Sequence, residues 1–246
     1  MRLLATALIL VLLAACGEAL VTEGELRVSA AASLTDAFAE MERVFEAANP
    51  GVDLVLNLGA SSTLREQILE GAPVDVYASA NTSNMDQVVA AGETVGEPRI
   101  FARNLLEIAV PAGNPAGVTS LADFSDDDLL LGLCAQGVPC GDFAREALDK
   151  AGVVPAIDTN EPDVRSLLTK VGVGELDAAI TYVTDIASTP GDVEGVAIPE
   201  EDNVMADYSI AVLADAANQE TASAFIDLVV SDEGRTILAD FGFVAP

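Results

Sequence analysis

The stretch RVSAAASLTDAFAEMERVFEAA, Arg27–Ala48, decides how this chain folds. A short apolar run of strand length, Leu26 to Ala30, leads into it, followed by the small residues Ala31 and Ala32. From there apolar side chains fall at Leu34, Ala37, Phe38, Met41, Val44, Phe45 and Ala48, the spacing of an amphipathic helix with one buried face. Ser33 stands where an N-cap belongs, with Asp36 near the unpaired amides of the first turn. A strand that passes through small residues into a helix leaves free backbone N–H groups at the carboxyl edge of a sheet, where α/β proteins bind anions. Taken alone, Ser33 reads first as an ordinary helix cap; the chain, however, makes similar turns again.

Downstream, Asn49-Pro50-Gly51 stops the helix, and Val52 to Leu58 reads as a buried strand. The hydroxyl-rich turn Gly59-Ala60-Ser61-Ser62-Thr63 then leads into a helix from about Leu64 to Glu70. A strand Val74 to Ser79 and a helix Asn84 to Ala91 continue the alternation that marks a parallel sheet flanked by helices. Leu105 to Val110 is a further strand, and a second series follows. It comprises strand Leu129 to Leu133, helix Cys140 to Ala151, helix Val164 to Val173 and strands Ala178 to Tyr182, Val193 to Ile198 and Tyr208 to Leu213. Helices Glu220 to Val230 and Glu233 to Ala239 end the chain. No Pro/Gly/Ser linker separates the two series, so two lobes joined by strands are expected. Residues 25–104 with 207–246 form the first lobe and 105–206 the second, the chain crossing near Asn104 and Asp207.

The 246 residues begin with a segment outside this fold. Met1-Arg2 is a minimal positive region, and Leu3 to Leu13 is apolar but too short to span a bilayer. Leu13-Ala14-Ala15-Cys16-Gly17 resembles a bacterial lipobox. Residues 1–15 therefore read as a lipoprotein signal peptide, Cys16 as the lipidated first residue of an exported chain, and residues 16–24 as its tether. Loss of residues 1–15 removes only Arg2, leaving 10 basic against 40 acidic residues. Such a surface repels nucleic acid and anionic headgroups. The absence of His excludes His-based triads and His metal sites. Cys134 and Cys140 are the two thiols left besides Cys16, and in an exported protein they are expected to form a disulfide.

Five turns share a chemistry. Ser33, Ser61 or Ser62, the turn Gly137-Val138-Pro139-Cys140-Gly141, the turn Glu161-Pro162-Asp163-Val164, and Tyr182 all lie at strand ends or loops beside helix starts. Each offers a neutral donor, a hydroxyl, a backbone N–H or a phenol, and none is Lys or Arg. Pro139 and Pro162 suit first-turn positions, where a missing N–H costs nothing. An oxyanion held there is held by dipoles: each helix terminus gives about 0.3–1 kcal/mol, and each hydrogen bond to a charged acceptor about 1.5–3 kcal/mol.

The segments AAASLTDA, GASSTLREQILEGAPVDVYASA, VPCG, EPDVRSLL and AAITYVTDIA, in this order and spacing, resemble the substrate-binding components of molybdate ABC importers. The resemblance covers residues 25 to 245, and GASSTL followed by GAPVDVYASA is its most specific part. It implies an α/β, two-lobed periplasmic-binding-protein fold of type II, each lobe a mostly parallel sheet flanked by helices. It implies capture of molybdate, and of tungstate, for delivery to a membrane ABC permease, by a monomer with no cofactor and no free metal cation. It also implies ligand contacts from the side chains of Ser33 and Ser61, the backbone N–H groups of Cys140 and Val164, and the Tyr182 hydroxyl. The family often carries Ala where Cys140 stands, a change that a backbone contact tolerates. Two other readings stay open on the residues alone: a binder of sulfate, phosphate or thiosulfate, and a serine hydrolase. The hydrolase would need a Ser-Lys pair, yet Lys150 and Lys170 are the only lysines and neither neighbours a candidate serine.

Overall fold

A computed structural model describes residues 24–246; the expected signal peptide, the lipobox Cys16 and the tether up to residue 23 lie outside the described residues. Strand β1 (Gly24–Ala31) passes through a single turn of 3-10 helix, Ala32–Leu34, into helix α1 (Thr35–Ala48). Next come β2 (Val52–Gly59), α2 (Ser61–Leu69), β3 (Val76–Ser79) and α3 (Thr82–Ala90). The long strand β4 (Thr94–Pro111) precedes a 3-10 segment, Leu121–Ser125, then β5 (Leu131–Cys134), α4 (Pro139–Lys150) and β6 (Thr159–Glu161). Helix α5 (Val164–Gly172), β7 (Ala178–Tyr182), α6 (Val183–Ala187) and β8 (Val193–Ala197) follow. Strand β9 (Met205–Leu213) and helices α7 (Gln219–Val230) and α8 (Asp232–Asp240) complete the chain.

The strands join in the order β2-β1-β3-β9-β4-β7-β5-β6, with β8 also paired to β4. Strand β1 runs parallel to β2 and β3, and β5 runs parallel to β6 and β7. Every pairing of β4 and β9 is antiparallel. The two parallel halves are therefore stitched together by an antiparallel pair. That pair includes Arg103 opposite Asp207 and Asn104 opposite Ala206, the positions at which the sequence predicts the crossings. Strand β4 begins eleven residues before the predicted Leu105. Its early part, TVGEPRIFAR, lacks clean alternation because its register against β9 shifts twice. The short β6 and α6 have no counterpart in the sequence reading; three to five residues are too few to show a period.

The apolar face of α1 buries Ala37, Phe38, Met41 and Phe45. Phe225 of α7 packs edge-on against Phe38 and Phe45, with ring centroids 5.8 and 5.4 Å apart. The C-terminal helices α7 and α8 thus pack against α1 from the far end of the chain. A separate cluster under α2 and α3 holds Leu64, Ile68, Tyr77, Met85 and Val88. Among the described residues no helix is long and apolar enough to cross a membrane.

Candidate functional site

The helix starts identified from sequence converge on one cavity of about 220 Å³, measured to include the open solvent at its mouth. Ser33, Ser61, Cys140, Val164 and Tyr182 all line it. Its remaining walls are mostly small side chains, among them Ala31, Ala32, Gly59, Ala60 and Ala80. Small walls let backbone and hydroxyl groups approach one centre. The lining contains no Lys or Arg, and its one ionisable carboxyl is Asp163.

Ser33 does not cap α1. It lies in the 3-10 turn, and the residue in the cap position is Leu34, which makes no side-chain capping bond. The Ser33 hydroxyl instead sits 2.8 Å from the Tyr208 hydroxyl on β9. Asp36, in the first turn of α1 as the sequence predicts, pairs with Arg165 at the start of α5. The reason is tertiary: β9 and α5 bring stronger partners to this turn than its own amides offer.

Ser61 is the first residue of α2 and is fully buried. Its Oγ accepts the Ala80 N–H at 3.0 Å, and its carbonyl accepts the Tyr77 hydroxyl at 2.8 Å. With the oxygen already serving as acceptor, the Ser61 hydrogen is free to donate into the cavity. Local physics does not separate Ser61 from Ser62; Ser61 lines the cavity, whereas Ser62 is half-buried outside it. Burial pushes the Tyr77 phenol up to about 12, so it remains a donor.

Cys140 follows Pro139 in the first turn of α4, and Val164 opens α5 behind the Asp163 cap, whose carboxylate accepts the Ser166 N–H at 2.8 Å. First-turn N–H groups precede any intrahelical acceptor, so those of Cys140 and Val164 are available to a ligand. A Cys134–Cys140 disulfide, with Cα atoms 5.8 Å apart, ties the cavity turn to the end of β5. Asp142 accepts the Gly137 N–H at 2.8 Å, and Arg145 donates to the carbonyls of Cys134 and Gly141. Gly141 is required here: a Cβ would lie 2.3 Å from the Ala135 carbonyl oxygen and 2.4 Å from that of Cys134.

Tyr182 ends β7 with its hydroxyl buried and without a hydrogen-bond partner. Buried phenols normally find one. Burial raises its ionisation well above the ordinary tyrosine range, so it stays a neutral donor. Behind it, Asp185 is fully buried; its Oδ2 accepts from Thr181 at 3.0 Å and its Oδ1 has no partner. Burial pushes this carboxyl up to about 6.

Sequence reasoning missed the groups one layer out. Arg165 donates to Asp36, to the Ala32 carbonyl and to Ser188, and so bridges α5 to the turn that carries Ser33. In sequence Tyr208 is only part of an alternating strand, and Asn104 only a crossing point. Their shared signal was a polar group at a position that the strand pattern buries.

Comparison with known proteins places the chain. The family of bacterial extracellular solute-binding proteins matches residues 26–244. The molybdate-binding protein ModA of Mycobacterium tuberculosis H37Rv is 39% identical over 219 residues, covering 89% of this chain and 84% of that protein. ModA of Escherichia coli K12 is 33% identical over 243 residues, covering 94% and 93%. The periplasmic molybdate-binding protein of Azotobacter vinelandii superposes with a TM-score of 0.76 at 17% identity, over 90% of this chain and 99% of that one, and shares its fold.

Proposed function

Because the chain belongs to the bacterial extracellular solute-binding proteins, we propose that it captures molybdate outside the cytoplasm and hands it to a membrane ABC permease. The observation that carries this reading is the buried, unpartnered Tyr182 hydroxyl, which lines one cavity with Ser33, Ser61, Cys140 and Val164. The hydroxyls of Ser33, Ser61 and Tyr182 and the N–H groups of Cys140 and Val164 hold the anion. Each hydrogen bond to a charged acceptor contributes about 1.5–3 kcal/mol, so such a set binds a dianion despite the formal net charge of −29. Arg165 and Asp36 neutralise each other outside the cavity and leave recognition to dipoles.

Tungstate, with the same charge and shape, binds the same donors. Sulfate is a smaller tetrahedron and leaves some donors unpaired, at about 1–3 kcal/mol each. Residues 25–104 with 207–246 act as one lobe and 105–206 as the other, the anion drawing them together about the β4–β9 crossing. The protein works as a monomer and performs no catalysis. Cys16 anchors it by acyl chains at the outer face of the membrane.

Calorimetric titration with molybdate, tungstate, sulfate and phosphate in parallel tests the reading. Molybdate and tungstate should bind at least tenfold more tightly than sulfate. Equal affinities for all four, or tighter binding of sulfate or phosphate, would overturn it.

A further inference from the structure

Behind the cavity wall lies a hydrogen-bonded relay, Asn104, Thr184 and Tyr208, that reaches the cavity only through Ser33. Asn104 on β4 is 1% exposed. Its Oδ1 accepts the Leu105 N–H at 3.0 Å, which fixes the orientation of the amide and turns Nδ2 inward. That nitrogen donates to Thr184 Oγ1 at 2.8 Å and to the Tyr208 hydroxyl oxygen at 3.4 Å. Having accepted from Asn104, Tyr208 has one hydrogen to give, and Ser33 Oγ stands 2.8 Å away. The neighbouring Tyr182 hydroxyl makes no hydrogen bond, although it couples electrostatically to Tyr208.

We propose that Tyr208, oriented by Asn104, is a positioning residue that commits the Ser33 hydroxyl to donate toward the bound oxyanion; this rests on reading the cavity as the molybdate site. The direction of the relay matters because the ligand is an anion. With Tyr208 donating, one Ser33 lone pair is occupied and its hydrogen is left to serve the cavity. With the relay reversed, Ser33 spends its hydrogen on Tyr208 and turns a lone pair toward the anion. The Tyr208 ring is held for this task by edge-on contacts with Phe101, Tyr182 and Phe243, at centroid separations of 6.2, 6.1 and 5.4 Å. The relay is also rooted in the crossing strands: Asn104 sits opposite Ala206, and Tyr208 lies two residues further along β9. Through Thr184 the same amide reaches α6, which begins directly after Tyr182. A single side chain on the crossing thus joins the Ser33 turn to the helix that follows the Tyr182 strand.

A double-mutant cycle tests this, with molybdate affinity measured by calorimetry on the wild type, Tyr208→Phe, Ser33→Ala and the double variant. The expected result is that Tyr208→Phe weakens molybdate about fivefold in the wild-type background and leaves the Ser33→Ala background unchanged. A merely structural role predicts the same loss in both backgrounds, and that result overturns the relay. So does an unchanged affinity of Tyr208→Phe beside a weakened Ser33→Ala. A wild type that does not bind molybdate fails the site reading itself, which separates the two failures. The Phe variant keeps the ring and its contacts, and circular dichroism checks its fold. Should it not fold, Asn104→Leu takes its place in the same cycle, with the same two readings.

Discussion

Replacing Tyr182 with Phe should move affinity and stability of the empty protein in opposite directions. The hydroxyl is buried without a partner, and a polar group left in that state costs about 1–3 kcal/mol. Opening of the cleft lets water reach the group and relieves part of that cost, so the lower bound applies. Tyr182→Phe should therefore stabilise the ligand-free protein by about 1 kcal/mol, which for a chain of this size raises Tm by about 2–4 °C. The ring itself is 1% exposed and keeps its 6.1 Å contact with Tyr208, so packing losses are small. With molybdate present the same oxygen supplies a hydrogen bond to a charged acceptor, and its removal costs about 1.5–3 kcal/mol. That corresponds to a loss of about 10- to 150-fold in affinity. Differential scanning calorimetry with and without saturating molybdate, alongside titration calorimetry, reads both changes. The two melting curves should cross over: the variant melts higher when empty and lower when saturated. A variant that loses stability when empty and binds molybdate normally would refute the reasoning, since the hydroxyl would then serve the fold and not the ligand.

Reduction of the Cys134–Cys140 disulfide, or the Cys134→Ala/Cys140→Ala double variant, should weaken molybdate several-fold, because the Cys140 N–H then has to be ordered on binding. The closed loop is short, so the stability lost should be about 2 kcal/mol, and circular dichroism should show the fold intact. Arg165→Gln removes a bridge between α5 and α1 whose charged groups are 30% and 43% exposed, so its net worth is about 0–1 kcal/mol. Molybdate affinity should fall by up to about fivefold at low salt, and titration in high salt should shrink the difference between variant and wild type. Asp185 is fully buried with its carboxyl pushed up to about 6 from an ordinary 3.8. The folded state therefore prefers the protonated acid, and stability falls as pH rises from about 4 to 6, by about 3 kcal/mol in all. Asp185→Asn should stabilise the protein at pH 7 and leave it nearly unchanged at pH 4 in urea unfolding; an equal effect at both would show that the carboxyl is not the source.

Sequence alone determined the alternating architecture and the ends at which chemistry could sit, because both are local. The period of α1, the stop at Asn49-Pro50-Gly51 and the hydroxyl-rich turn before α2 are written in neighbouring residues. So is the first-turn placement of Pro139. The crossing near Asn104 and Asp207 is expected from the absence of any linker; in the β4–β9 pair Asp207 stands opposite Arg103, and Asn104 opposite Ala206. What a residue does at its end was settled only in three dimensions. Ser33 reads as a helix cap in sequence and is a partner of Tyr208 in the fold, 175 residues away. Asp36 reads as a first-turn acid and pairs with Arg165, 129 residues away. Ser61 and Ser62 are equivalent as text; the Ala80 N–H reaches only the first, and only the first lines the cavity. The unpartnered state of Tyr182 is likewise invisible in a strand whose every residue is buried. Helical period and turn chemistry act over a few residues and can be read from the chain. Hydrogen-bond partners come from whichever strands the topology brings together, and a local pattern carries no record of them.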